Sequence, residues 1–388
     1  MVILTLNVGS SSLKFSVWSN EHMIVKGDFQ NLGKKGSQQF RFYLEDQEPL
    51  VEQLEGLYIP QAIHYLFWNL AKHHIKIEAI GHRVLHGGEL LKESCLITDY
   101  VKATIKQLYP LGPLHLPFAM IAIEECQKTF PTIPQCAIFD TSFHATLEPK
   151  AFLYGVPYEL YSKYGIRRYG FHGSSHRYVS KHVCEFLNVD QTDKKVIVVH
   201  WGNGISLSAV KNGICLDTSM GMTPLEGPMM GTRSGTIDPA VVSYLVDKLN
   251  MTSDQITEML NKQSGLLGIA GVSDMRDVEA RAAAGNRRAQ LAIEMICYQI
   301  KKQIGAYCAA LGGLDVLVFT AGVGENSPLC RAKVMEDFEW LGAKIDPALN
   351  NCCGVEQVIS TFDSRVTVCI IPTNEEYQIA QDVQQLLS

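Results

Sequence analysis

Two arginines of this chain stand between glycines, in Gly81-His82-Arg83-Val84-Leu85-His86-Gly87 and in Gly231-Thr232-Arg233-Ser234-Gly235. A guanidinium is a planar, permanently charged fork that matches a carboxylate or a phosphate. Glycines beside it let a ligand approach closely. A surface salt bridge is the ordinary use of one such arginine, but the device occurs twice here. Phe139-Asp140-Thr141 follows a short apolar stretch and so puts a carboxylate at a strand end, where it suits Mg²⁺; a helix N-cap is the competing use. Phe171-His172-Gly173-Ser174-Ser175-His176 has two histidines four apart without the glutamate of zinc proteases. His172 reads as a donor to an oxyanion and His176 as structural. His82 and His86 are also four apart, but the surrounding glycines argue against a helix and a shared metal face. Gly9-Ser10-Ser11-Ser12-Leu13-Lys14 offers N–H groups, hydroxyls and a cation to an anion. It lacks the spacing of a P-loop, and a serine-rich hairpin explains it equally well. Glu375, opening the last helix, is in the place where a carboxylate usually complements the helix dipole.

The elements that must position these groups alternate between strand and helix, which predicts an α/β architecture. Met1–Val8 reads as a buried strand, Leu13–Trp18 as a second and Met23–Asp28 as a third, joined by a glycine-serine turn and by Ser19-Asn20-Glu21. The plan returns at Val196–His200, Gly202-Asn203-Gly204 and Ile205–Val210, with Asn212-Gly213 closing a favoured hairpin. Asn7-Val8-Gly9 and His200-Trp201-Gly202 therefore hold equivalent places in two units, and an internal duplication is expected. Ala240–Leu249 is a helical segment, and Asn286 caps a long helix that Gly312-Gly313 ends. Val316–Thr320 is a buried strand leading into a glycine turn, Ala321–Asn326. Val366–Ile371 is a strand and Glu375–Leu387 a helix.

At 388 residues, about 150 per domain, two or three domains are expected. The net charge of −6 excludes a broad basic field for nucleic acid or anionic membrane. Only twelve of the 34 basic residues are Arg, and none lies between Arg83 and Arg167. No run of about 18 apolar residues predicts a spanning helix. Met1–Val8 is too short for a signal sequence. Eleven scattered cysteines read as reduced thiols of a cytoplasmic protein.

Taken together, Asn7–Lys14, Gly81-His82-Arg83, Phe139-Asp140-Thr141, Gly170–Gly173, Gly231-Thr232-Arg233, Gly322–Asn326 and Thr373–Glu376 resemble the acetate kinase family. The motifs are colinear and span essentially the whole chain. The resemblance implies a duplicated actin-like ATPase (ribonuclease H-like) core in two domains around a cleft. These would be residues 1–147 with 376–388, and 148–375. It implies reversible, Mg²⁺-dependent phosphoryl transfer, ATP + acetate to ADP + acetyl phosphate, with Mn²⁺ as the alternative ion, and a homodimer. Arg83 and Arg233 would grip the carboxylate and the transferring phosphoryl group, His172 would donate to its oxygens, and Asp140, Glu375 and Asn7 would hold the metal. Lys14, Asn7, Ser10, Ser12, Trp201 and Gly202 would bind the nucleotide cofactor, His115 and His200 would be further active-site histidines that also bind it, and Asn203 and Gly204 would form the phosphate-contacting turn. Asp274, Met275, Arg276 and Gly322-Val323-Gly324-Glu325-Asn326 would form the nucleotide pocket. Leu85, Leu114, Phe171 and Pro224 would wall the acyl pocket.

An in-line transfer spreads charge over three equatorial oxygens, so positioned cations matter more than a base. Acetate is already ionised at neutral pH, and no deprotonating residue is required. The family usually has Val where this chain has Leu85, which implies a pocket no larger than usual and a modest preference for acetate over propionate. Trp201 and Leu116 replace a usual Leu and a common Asn. A propionate or other short-chain carboxylate kinase is the alternative. A nucleotide-gated, actin-like binding protein is the alternative from another class, because fold alone does not decide function.

Overall fold

The computed structural model describes residues 1–45, 47–113 and 115–388. The chain divides into two compact units, Met1–Ala145 with Asn374–Ser388, and Thr146–Thr373.

The first unit is built on eight strands: β1 (Val2–Val8), β2 (Ser12–Ser19), β3 (His22–Gln30), β4 (Gln38–Leu44), β5 (Leu50–Leu54), β6 (Ala79–Val84), β7 (Cys95–Leu96) and β8 (Gln135–Phe139). Their order in the sheet is β5-β4-β3-β2-β1-β6-β8-β7. β1 pairs antiparallel with β2 and parallel with β6, setting Leu6 opposite Phe15 and His82. β6 and β8 run parallel, with Val84 opposite Phe139. One face carries Phe15, Phe29, Phe40 and Phe42 against the helix Ile59–Lys72. The Phe29 and Phe40 rings lie 4.5 Å apart, and such a pair adds about 0.5–1.5 kcal/mol beyond the area it buries. The other face is covered by the helix Glu375–Leu387, whose Ile379, Ala380 and Val383 meet Ile3, Ala79 and Ile138. That helix takes Asn374 and Glu375 with it into the first unit, two residues earlier than the boundary read from the sequence.

The second unit repeats the plan with β9 (Lys195–Trp201), β10 (Ile205–Lys211), β11 (Ile214–Thr218), β12 (Val316–Thr320), β13 (Gln357–Val358) and β14 (Thr367–Ile370), ordered β11-β10-β9-β12-β14-β13. β9 pairs antiparallel with β10 and parallel with β12, as β1 does with β2 and β6. The strand order β3-β2-β1-β6-β8 thus recurs as β11-β10-β9-β12-β14, and the duplication expected from the sequence is present. Asn212 and Gly213, both at positive φ (55° and 78°), make the tight turn between β10 and β11. The long helix Arg287–Leu311 starts where the Asn286 side chain accepts from the Ala289 N–H, and ends at Gly312 with φ 67°. Its buried Ile293, Ile296, Ile300 and Ile304 recur at helical spacing.

One expectation is corrected. Ala321–Asn326 is not an open glycine turn but a short helix, with Asn326 Nδ2 donating to the Gly322 carbonyl (2.9 Å). Two glycines do not break a helix whose N-terminal N–H, that of Ala321, is met by the Glu325 carboxylate (2.7 Å).

Candidate active site

In the first unit the functional groups gather at the carboxyl ends of β1, β6 and β8, where α/β sheets place ligands. Arg83, next to last in β6, donates from Nε and Nη2 to both oxygens of Asp140 at 2.8 and 2.6 Å. Asp140 follows β8 directly, and its N–H is held by the Val84 carbonyl (3.0 Å). It is fully buried, so its charge needs this partner. Glu375 lies 3.9 Å from Arg83 Nη2. Its neighbour Asn374 caps the helix through the Tyr377 N–H (3.1 Å). Burial weakens the Arg83 charge, but Asp140 and Glu375 more than offset this and hold its pKa above the ordinary value. Burial raises the Glu375 pKa; Arg83 lowers it, Asp140 raises it as a like charge and Lys14 lowers it, with a net upward shift.

The remaining first-unit residues named from the sequence spread along the same edge. Asn7, next to last in β1, stands opposite Lys14 of β2. Ser10 is exposed in the intervening turn and Ser12 opens β2, its carbonyl closing that turn on the Gly9 N–H (2.9 Å). His115 is exposed at the start of the helix Leu116–Thr129. Leu85 is half-buried beside Leu116. Leu114 lies outside the described residues.

In the second unit His172 precedes the helix Gly173–Phe186 in the left-handed region (φ 58°), a strained setting for a residue with a side chain. Its Nδ1 meets Ser206 Oγ at 2.8 Å, and the same hydroxyl meets His176 Nε2 at 2.7 Å. The His172 and His200 rings stack with centroids 4.1 Å apart. His200 Nδ1 is held by Ser175 Oγ (2.7 Å), to which Thr373 Oγ1 donates (2.7 Å). The other edge of the His172 ring faces the turn after β9. A methyl group built on Gly204 would lie 3.3 Å from His172 Nε2 and 3.5 Å from Arg233 Nη1. Gly204 therefore permits the close approach of an imidazole and a guanidinium to the chain at this turn, which a larger side chain would crowd.

Arg233 donates to the Pro224 carbonyl (3.1 Å) and approaches the Met230 sulfur (3.7 Å), both neutral. Burial alone lowers its pKa, and among the described residues no carboxylate pairs with it. A largely desolvated arginine without a carboxylate partner carries a charge whose burial is not compensated. Phe171 is fully buried and Pro224 half-buried.

A cavity of about 730 Å³ opens beside this turn. Trp201, Gly202 and Asn203 line one side, Asp274, Met275 and Arg276 a second, and Gly322, Val323 and Asn326 a third. Asp274 caps the helix Met275–Ala283, and its hydrogen bonds from Arg276 pull its pKa down to about 2. Two residues expected in the pocket do other work. Gly324 packs on β9 near the Trp201 Cβ, and Glu325 accepts from the Ala321 and Thr373 N–H groups (2.7 and 3.0 Å). Glu279 and Ser327 line the cavity and were missed. Ser327-Pro328 carries an N-cap signature that was legible; Glu279, one of many helical acids, carried none.

The chain belongs to the acetokinase family, whose model matches residues 2–381. The acetate kinase of Carboxydothermus hydrogenoformans is 45% identical over 395 residues, covering 100% of this chain and 99% of that protein. The crystal structure of Porphyromonas gingivalis acetate kinase superposes with a TM-score of 0.94 at 41% identity over 100% of both chains. A propionate kinase from Francisella tularensis subsp. tularensis matches with a TM-score of 0.94 at 42% identity over 99% of each chain. The protein is a transferase, a carboxylate kinase, with the actin-like ATPase-type architecture.

Proposed function

We propose that this carboxylate kinase transfers a phosphoryl group between ATP and acetate, giving ADP and acetyl phosphate. The observation that carries the reading is the convergence on Gly204 of His172 Nε2 and the Arg233 guanidinium, which has no carboxylate partner among the described residues, next to a cavity of nucleotide size. Arg233 and His172 stabilise charge on the phosphoryl oxygens in the transition state. Asn203 and the Gly202–Gly204 backbone follow the phosphates, and the walls at 274–276 and 322–326 hold the nucleoside. Arg83 has five N–H donors and gives two to Asp140, so three remain for the acetate carboxylate. The resemblance to the family assigns contact with the acyl methyl to Leu85 of the first unit and to Phe171 and Pro224 of the second.

The donor set of Asp140, Glu375 and Asn7 fits Mg²⁺: all offer oxygen, and Glu375 is a largely buried carboxylate beside a second one. Two carboxylates suffice where phosphates and water complete the shell of the ion. Bound there, Mg²⁺ supplies charge neutralisation. Arg83 holds Asp140 in place, the Lys14 charge favours the ionised form of Glu375, and Ser10 and Ser12 offer hydroxyls at the same strand end.

We also assign a homodimer, supported by the helix Ala240–Leu249, which exposes Tyr244 (63%), Leu249 (62%), Val246, Val241 and Val242. Among the described residues no helix is long and apolar enough to cross a membrane. Eight of eleven free cysteines are buried, which suits a reducing compartment, and we place the enzyme in the cytoplasm.

Trapping acetyl phosphate as a hydroxamate, with acetate, propionate and butyrate in parallel, tests the reading. Mg²⁺- and ATP-dependent product, largest with acetate, is expected. No product with any of the three would overturn it, and a larger rate with propionate would make it a propionate kinase.

A further inference from the structure

We infer that Arg168, Glu226 and Tyr154 form a clamp that sets the position of Arg233 relative to His172, which makes them positioning residues of the phosphoryl-transfer site. The inference rests on the roles proposed above for His172 and Arg233.

The two catalytic groups sit on different segments, and each segment is loop-like where it matters. His172 follows Arg168-Tyr169-Gly170-Phe171, and Arg233 lies within a long irregular stretch that runs from the end of β11 at Thr218 to the helix starting at Ala240. Neither is fixed by its own secondary structure. Arg168 crosses from the first segment to the second. Its Nη2 donates to Glu226 Oε1 (2.6 Å), and its Nη1 donates to the Thr218 and Ser219 carbonyls (2.6 and 3.1 Å). The other Glu226 oxygen accepts from the Tyr154 hydroxyl at 2.5 Å, and that hydroxyl accepts in turn from the Met222 N–H (2.9 Å). The Tyr169 N–H donates to the Gly221 carbonyl (3.0 Å) beside these contacts.

Glu226 thus has both oxygens engaged from outside its own loop, and it stands two residues from Pro224. The Pro224 carbonyl is the hydrogen-bond acceptor that holds the Arg233 guanidinium. A line of contacts therefore runs from Arg168 through Glu226 and the Pro224 backbone to Arg233. The arrangement tolerates no slack at Gly221, where a Cβ would come within 1.8 Å of Glu226 Oε2 and 2.3 Å of the Tyr154 oxygen. The Arg168–Glu226 pair is only partly exposed, at 20% and 29% of the side chains, so solvent screens it incompletely. None of the three residues lines the nucleotide cavity. Because Pro224 also borders the acyl pocket in the reading above, the clamp bears on the choice of carboxylate as well as on rate.

The test compares Glu226→Gln, Tyr154→Phe and Arg233→Ala with the parent enzyme. Each is assayed with acetate and with propionate, and ADP affinity is measured by calorimetry. Glu226→Gln is expected to lower kcat by about 10- to 100-fold, the size of effect that misplacement by an ångström produces. It should also change the propionate-to-acetate ratio of kcat/KM while leaving ADP affinity within a factor of about two. Tyr154→Phe keeps the ion pair and should give a smaller loss in the same direction, so it carries the test if Glu226→Gln fails to fold. Unchanged kcat and substrate ratio in the folded variants, with Arg233→Ala inactive, overturns the clamp alone. Parallel losses of ADP affinity and turnover also overturn it, because they mark general disruption. Near-parental activity of Arg233→Ala overturns the role of Arg233 itself and not the contacts that hold it.

Discussion

Arg83 embraces Asp140 side-on, Nε to Oδ1 at 2.8 Å and Nη2 to Oδ2 at 2.6 Å, while Glu375 stands 3.9 Å from the same Nη2. One arginine therefore faces two carboxylates, and the second of them is not fully compensated. That surplus negative charge is what a divalent cation would neutralise, and it makes Glu375 costly to the unliganded fold.

Replacing Glu375 with Gln should remove that cost. The folded state raises the pKa of Glu375, so its neutral form is favoured and the contribution of this group falls as pH rises through the folded value. Glu375→Gln is expected to melt at or above the parent temperature at pH 7 without nucleotide, while kcat drops by about 100-fold or more. Differential scanning calorimetry beside the hydroxamate assay reads both. A clearly lower melting temperature contradicts the charge argument.

Arg233→Ala should lose at least about 100-fold in kcat, because it deletes a desolvated cation aimed at developing charge. Guanidine added to the assay should restore part of the rate. Near-parental turnover in a folded variant would remove Arg233 from the transition state.

Leu85→Val opens the wall beside Leu116 by one methylene. Discrimination of one methylene is about 1–3 kcal/mol, so the propionate-to-acetate ratio of kcat/KM should rise about tenfold. An unchanged ratio would place Leu85 away from the acyl group.

His82 is buried, with Nε2 2.8 Å from Gln135 Oε1; burial drives its pKa down to about 4, only partly opposed by Gln135. The unfolded chain binds a proton here near pH 6.5, and the folded chain does not until near pH 4. Stability should therefore fall as pH is lowered from about 6.5 to 4, by about 3 kcal/mol from this group. His82→Gln should flatten that part of the urea-midpoint profile. Equal slopes for the two proteins would exclude His82 as the cause.

Acidic substitutions on the exposed helix, Tyr244→Glu with Leu249→Glu, should convert a dimer to a monomer in light scattering. A monomeric parent would sink the dimer assignment.

What the sequence disclosed follows from how local each signal is. Buried runs such as Val316–Thr320, and caps such as Asn286 and Gly312, act within a few residues, and both appear in place. The duplication was legible because each half repeats strand, turn and hairpin in order. The pairing of Arg83 with Asp140 was not, since the two are 57 positions apart and meet only because β6 and β8 are neighbours. Nor did Glu325 announce that its carboxylate would face backbone N–H groups from two separate segments. Such roles belong to tertiary geometry, which no local pattern encodes.

The helix Glu375–Leu387 closes one face of a sheet whose strands are all made before residue 140. On the ribosome the first unit must wait for the whole of the second to be synthesised before Ile3, Ala79 and Ile138 can be covered. During that interval an apolar sheet face stands open, inviting either chaperone capture or self-association. Glu375 arrives with the same helix. No nascent chain can therefore bring together the two carboxylates proposed to hold the metal until the second unit has been synthesised.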